Sequence, residues 1–184
     1  MWELESCLNS VVGRQRVAAD KNKKWFSEGI RFECQGSGNC CSSRGEYGYV
    51  YMSHEDRVNA AKFFRISEDN FIKAHCQNVD GFYALKDNPA GPDCIFLKDK
   101  KCSIYAARPT QCRTWPFWPE TMSAKKWKKD IESFCPGVNK GRLYSEEEIT
   151  ATVEAQKLSE RKLQEEELFA RSIKRNLSFG ENKK

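Results

Sequence analysis

The sequence predicts an α+β protein: a small domain of short strands and loops, followed by a long C-terminal helix. Three observations carry that expectation. Eight of the nine cysteines fall between residues 34 and 135, and all of these but Cys76 lie in stretches rich in Gly, Pro and charged turn residues. Between them lie short apolar runs too brief for anything but short strands or short helices. From Ser145 to about residue 175 the chain has no Pro or Gly, which predicts one continuous helix.

Taken in order, residues 1–33 read as weakly helical and then extended. Tyr47–Met52 alternates aromatic residues with others, which suits a strand. Ser53 precedes Asp56 and an apolar-periodic run through Val58, Ala61 and Phe64, a capped helix of about three turns. Ser67 caps a second helix carrying Phe71, Ile72 and Ala74, and Phe82–Leu85 reads as a short strand. Ile95–Leu97 and Ser103–Tyr105 flank a charged turn, so a β-hairpin is expected to bring Cys94 and Cys102 side by side. Ser145 followed by Glu148 is a capping-box pattern. The apolar residues beyond it, Ile149, Val153, Leu158, Leu163, Leu168 and Phe169, form no single stripe. A partly exposed helix is therefore expected, its free face solvated or, alternatively, a surface for a protein partner. The expected division is an extension over 1–31, the cysteine-rich domain over 32–144, the helix over 145–176 and a tail over 177–184.

Composition narrows the function classes. The 184 residues carry a net charge of +5, weak evidence for a nucleic-acid partner, so none is expected, and Lys125–Lys129 reads as a solvated basic face. No stretch approaches the roughly 18 apolar residues of a membrane-spanning helix, so no membrane role is expected. Met1–Cys7 lacks the basic start and apolar core of a secretory signal, so the expected location is cytoplasmic, with reduced thiols. There is no Gly-rich phosphate loop, Ser/His/Asp set or paired catalytic carboxylates.

An odd number of cysteines, nine, in a reducing compartment favours metal binding or redox chemistry over a disulfide framework. Cys7 and Cys76 stand alone and read as small buried hydrophobes. The candidate ligands are Cys34, Cys40, Cys41, Cys94, Cys102, Cys112 and Cys135. Gly36 and Gly38 lie between the first two, where a chain wrapping an ion needs unusual backbone angles. Thiolate ligation suits zinc or iron, the iron either as an ion or in an iron–sulfur cluster. Cys40 and Cys41 are adjacent, and in extended backbone their side chains would diverge toward different sites. Arg44, Arg108 and Arg113 stand near cysteines and are candidates to donate charge-assisted hydrogen bonds to the sulfurs. Trp115, Phe117 and Trp118 read as core packing or, alternatively, as a wall between the site and water. His54 is expected to be exposed; His75–Cys76 is a weaker candidate ligand pair.

The order Phe32-x-Cys34, Cys40-Cys41, Cys94-x-Phe96-Leu97, Cys102-x-Ile104-Tyr105-x-x-Arg108-Pro109-x-x-Cys112-Arg113-x-Trp115-Pro116-Phe117 resembles the CxxCxxCC zinc- or iron-chelating domain family, the YkgJ-type cysteine cluster proteins. The resemblance covers about residues 32–137. It implies a metal-chelating domain of unassigned physiological role. The family's second cysteine position holds Ser37 here. A relative of the domain occurs in flagellin lysine N-methylases, which implies an alternative at a remove: a redox or protein-modifying, lysine methylase-related enzyme using the cluster.

Overall fold

The computed structural model describes residues 23–42 and 48–181. The expectations for Cys7, for the helical character of residues 1–22, for Arg44 and Tyr47 and for residues 182–184 lie outside them.

Among the described residues, five α-helices and three two-stranded antiparallel sheets make the α+β layout. β1 (Ile30–Phe32) pairs with β6 (Val138–Tyr144), closing the ends of the cysteine-rich region on each other. α1 (His54–Phe64) and α2 (Glu68–His75) begin at the expected caps. The Ser53 hydroxyl accepts from the Asp56 amide and that of Ser67 from the Asn70 amide, each satisfying an N–H that the first turn leaves without a partner. β2 (Cys76–Val79) follows α2 directly and pairs with β3 (Phe82–Leu85). The segment before α1 makes no strand of its own. It adds to β3 through a single bridge, Tyr51 to Ala84, flanked by Met52 N–H to Tyr83 O and Leu85 N–H to Val50 O. Its backbone is held further by the Gln111 side chain, whose amide accepts from Tyr51 N–H and donates to Tyr49 O.

The hairpin of β4 (Leu97–Lys98) and β5 (Lys101–Cys102) is present but short. Asp99 and Lys100 form its turn with φ of 48° and 61°, the two left-handed residues that a type I′ hairpin requires. Cys102 lies opposite Leu97 and not Cys94. Cys94 precedes the strand in a turn closed by Leu97 N–H to Cys94 O. α3 (Thr110–Thr114), α4 (Ala124–Lys126) and a π-helical turn (Trp127–Glu132) lead to β6.

α5 runs from Glu146 to Glu181. Its capping box forms as read: Glu148 accepts from Ser145 N–H at 2.9 Å and Ser145 Oγ accepts from Glu148 N–H at 3.3 Å. One turn in, Ile149 is fully buried. Ile149→Ala is expected to cost about 3 kcal/mol, the usual scale for emptying a core site. A shift in the urea midpoint measures it. Further along, Leu168 and Phe169 stand 63% and 68% exposed, a partly exposed helix as expected.

Two apolar clusters hold the domain. The first contains Met52, Phe71, Leu85, Phe96 and Ile104, with Cys76 and Cys94 buried within it. The second contains Phe26, Ile30, Phe32, Phe117, Trp127, Ile131, Val138 and Ile149. Cys41 and Cys102 pack on the first cluster; Trp115 and Cys135 pack on the second.

Candidate metal centre

Short-range geometry gathers the thiols. Gly36 and Gly38 both adopt positive φ, 62° and 76°. Gly38 also abuts the hairpin: a Cβ there would sit 2.9 Å from Lys100 O. This turn launches a 3₁₀ helix over Asn39–Cys41. The adjacent cysteines therefore do not diverge as extended backbone would make them. Their sulfurs lie 4.0 Å apart. Two thiolates on one tetrahedral zinc, with Zn–S near 2.3 Å, stand roughly 3.8 Å apart. The expectation that Cys40 and Cys41 serve different sites gives way to a pair spaced to share one.

Backbone hydrogen bonds tie the cysteine segments together. Cys94 N–H donates to Cys41 O at 2.7 Å. The Asn39 amide donates to Phe134 O at 2.9 Å, bringing the segment of Cys135 alongside. As a result Cys34, Cys40, Cys41, Cys94, Cys102 and Cys112 line one cavity of about 140 Å³, with Trp115 and Trp118 among its walls. Phe117 does not join them. It is buried in the second cluster, stacked on Trp127 at 5.8 Å. Cys135 stands beside this cavity, its sulfur hydrogen-bonded by the Trp115 side chain and within electrostatic reach of Cys40 and Cys34.

The thiols feel one another. A hydrogen bond from Cys41 holds the Cys40 thiol down at about 7, with Arg108 contributing. The same bond, then burial, then the charges of Cys40, Cys94 and Cys112 push Cys41 far up. Burial first, and then Cys94, Cys40 and Cys102, push Cys112 up. Burial raises Cys102 and Cys135 as well.

The donor set fits a thiophilic metal: an apolar cavity, six sulfurs around it and a seventh at its rim, with a cation nearby. The shell is not closed as placed. Among the described residues no three Cys, His, Asp or Glu side chains converge tightly enough to hold one ion.

Other candidates sort cleanly. Arg108 lines the cavity, and its charge acts on Cys40, Cys102 and Cys112. Arg113 does not line this cavity. It donates to Arg108 O and Thr110 Oγ1 and lies 3.7 Å from Asp56. His75 packs among Phe64, Phe71 and Phe96, and Cys76 is buried in the first cluster with its thiol raised to about 11 by burial. Neither lines the cavity. His54 is exposed and pairs with Glu68. The Ser37 hydroxyl accepts from Asn39 N–H at 3.3 Å, a turn bond and not a contact with the thiols. Ser37→Ala is accordingly expected to leave the metal content per chain unchanged, as read by elemental analysis of the purified protein.

Asp56 is a positioning residue that reading along the chain missed. It is 2% exposed; its Oδ2 accepts from Ser53 Oγ, and its Oδ1 accepts from both Thr110 N–H and Thr110 Oγ1 at 2.9 Å. A carboxylate on α1 thus holds the first residue of α3, the helix that carries Cys112. Its place in the capping pattern of α1 was visible, but its second partner lies 54 residues away.

Sulfurs from separate segments, converging on one small apolar cavity in an α+β domain, define a cysteine-cluster chelating domain. The chain belongs to the CxxCxxCC family, described as "Putative zinc- or iron-chelating domain", which it matches over residues 33–136. Similar proteins include the uncharacterized protein MJ0661 of Methanocaldococcus jannaschii, 31% identical over 62% of this chain and 61% of that protein. The uncharacterized protein MJ0939 of the same organism is 26% identical over 63% of this chain and 40% of that protein. The chain thus spans less than two thirds of the length of either relative. No solved structure matches it. No helix among the described residues is long and apolar enough to cross a membrane.

Proposed function

We propose that the protein binds zinc or iron through its cysteine cluster, with Cys40, Cys41, Cys94 and Cys112 as the inner ligands. Cys34, Cys102 and Cys135 complete the set of candidates. One observation carries the reading: the Cys40 and Cys41 sulfurs stand 4.0 Å apart on the wall of a cavity that Cys94 and Cys112 also line, and the charges of Cys40, Cys94 and Cys112 all act on Cys41. Four thiolates on a divalent ion leave a net charge of −2, and Arg108 is placed to offset part of it. Bound there, zinc would supply a fixed tetrahedral link and iron, alone or as a cluster, a redox couple.

Elemental analysis of anaerobically purified protein, joined to its visible absorption, tests this. Stoichiometric zinc without colour, or iron with charge-transfer absorption, is the expected result. A folded, metal-free protein that takes up neither metal would sink the reading.

Metal uptake should also depend on pH. The inner thiols Cys41 and Cys112 are raised above the ordinary range, so they are protonated at neutral pH before metal arrives. Ligation must expel those protons, and affinity therefore rises with pH, about tenfold per unit for each proton released. Cys40, at about 7, contributes only as pH falls below neutrality. Calorimetric titration in buffers of differing ionisation enthalpy counts the protons; none released would contradict the assignment.

A further inference from the structure

A second and larger cleft, of about 470 Å³, opens beside the cysteine cavity. The two share Cys34, Cys40 and Cys112, so the cluster is not sealed: it faces this cleft on one side. A structural zinc site is closed by its four ligands, whereas a site that works on a ligand keeps a way in.

The charge of the cleft is one-sided. Three arginines line it, Arg108, Arg113 and Arg142, against a single lining acid, Glu33. Two of the three are held flat by tyrosines. The Arg108 guanidinium lies 3.5 Å from the centre of the Tyr105 ring and that of Arg142 lies 3.7 Å from Tyr144. Stacking fixes each guanidinium plane and leaves its N–H edge for a planar acceptor, so little side-chain entropy remains to be lost on binding. Arg108 uses its Nε on Tyr105 O. Among the described residues it makes no ion pair with a carboxylate. Arg113 is 44% exposed and its nearest carboxylate oxygen, on Asp56, is 3.7 Å away. Arg142 pairs with Glu148 at 2.7 Å, yet its side chain remains 58% exposed.

We infer that this cleft binds an oxyanion, a carboxylate or a phosphate group, on Arg108, Arg113 and Arg142 beside the cysteine cluster. The inference rests on the metal reading above for what the anion is brought next to. Bidentate guanidinium pairing is the chemistry that would recognise it. The tyrosine rings would pack against the body of the molecule that carries the group.

Calorimetric titration of the full chain as purified, with inorganic phosphate and separately with succinate, tests it. The metal content of each sample is measured in parallel. Saturable binding of at least one probe is expected. Arg142→Gln should weaken it about tenfold, the scale of one lost charge-assisted pair, with metal per chain unchanged. Glu148→Gln should act in the opposite sense. It frees Arg142 from its acid yet keeps an oxygen to accept from Ser145 N–H, so binding should tighten. A merely structural role for Arg142 would not move the two variants in opposite directions. Binding of neither probe, or equal binding by wild type and both variants, would overturn the proposal. Arginine-dependent binding by a chain that takes up no metal would remove the metal reading and leave the cleft.

Discussion

Replacing Cys112 with serine is expected to weaken metal binding about a hundredfold, while replacing Cys76 with serine leaves it unchanged. Cys112 sits on α3 at the point shared by the cavity and its neighbouring cleft, and the charges of Cys94, Cys40 and Cys102 all act on it. Structural zinc in small domains contributes roughly 10–16 kcal/mol from about four ligands. Loss of one thiolate should then cost about 3 kcal/mol, or around a hundredfold in affinity, since a hydroxyl is a poor ligand at neutral pH. Competition with a chelator of known affinity reads the change. Cys76 is 5% exposed and packs in the first apolar cluster. Its replacement puts a hydroxyl among apolar neighbours, so it should lower stability by about 1–3 kcal/mol with metal retained. If both variants lost metal equally, the cluster would not be the binding site.

Asp56→Ala should be the most damaging change that touches no cysteine. The buried carboxylate accepts from Ser53 Oγ, Thr110 N–H and Thr110 Oγ1. Its removal leaves these donors without an acceptor and loosens α3 from α1. The expected loss is about 3 kcal/mol in unfolding free energy. Because α3 carries Cys112, metal affinity should fall as well, by about tenfold to a hundredfold, the usual effect of losing a group that orients a ligand. Asp56→Asn keeps an oxygen facing Thr110, and so should recover part of both. Denaturant unfolding and chelator competition on the same preparations separate the two effects. Normal metal affinity in a destabilised Asp56→Ala protein would confine Asp56 to the stability of α1.

What could be read along the chain was mostly what acts over three or four residues. The caps at Ser53, Ser67 and Ser145 are local exchanges of hydrogen bonds, so residue type and spacing announce them. The same holds for Gly36 and Gly38, whose positive φ follows from their place in a tight loop. The site was legible as a set of cysteines but not as a shape. Whether Cys40 and Cys41 diverge depends on the turn that precedes them, and the 3₁₀ turn was not foreseen. Phe117 could be read as core or as a wall of the site, and Trp127, ten residues on, draws it into the core of the second cluster. Arg113 was read with Cys112, its neighbour in sequence, but Asp56 and Thr110 hold it elsewhere. The hairpin was found and its register missed, because the two-residue turn at Asp99 and Lys100 fixes which residues face each other.

The two apolar clusters described above meet at the cysteines. Cys41, Cys94 and Cys102 belong to one side, and Cys135, with Trp115, to the other. An ion that took Cys135 as well as ligands from the first side would make the opening of either half break bonds that the other half also needs. Cooperativity, in that case, is a property conferred by the metal. With it the domain should unfold in one step; without it, the halves are free to melt at different temperatures.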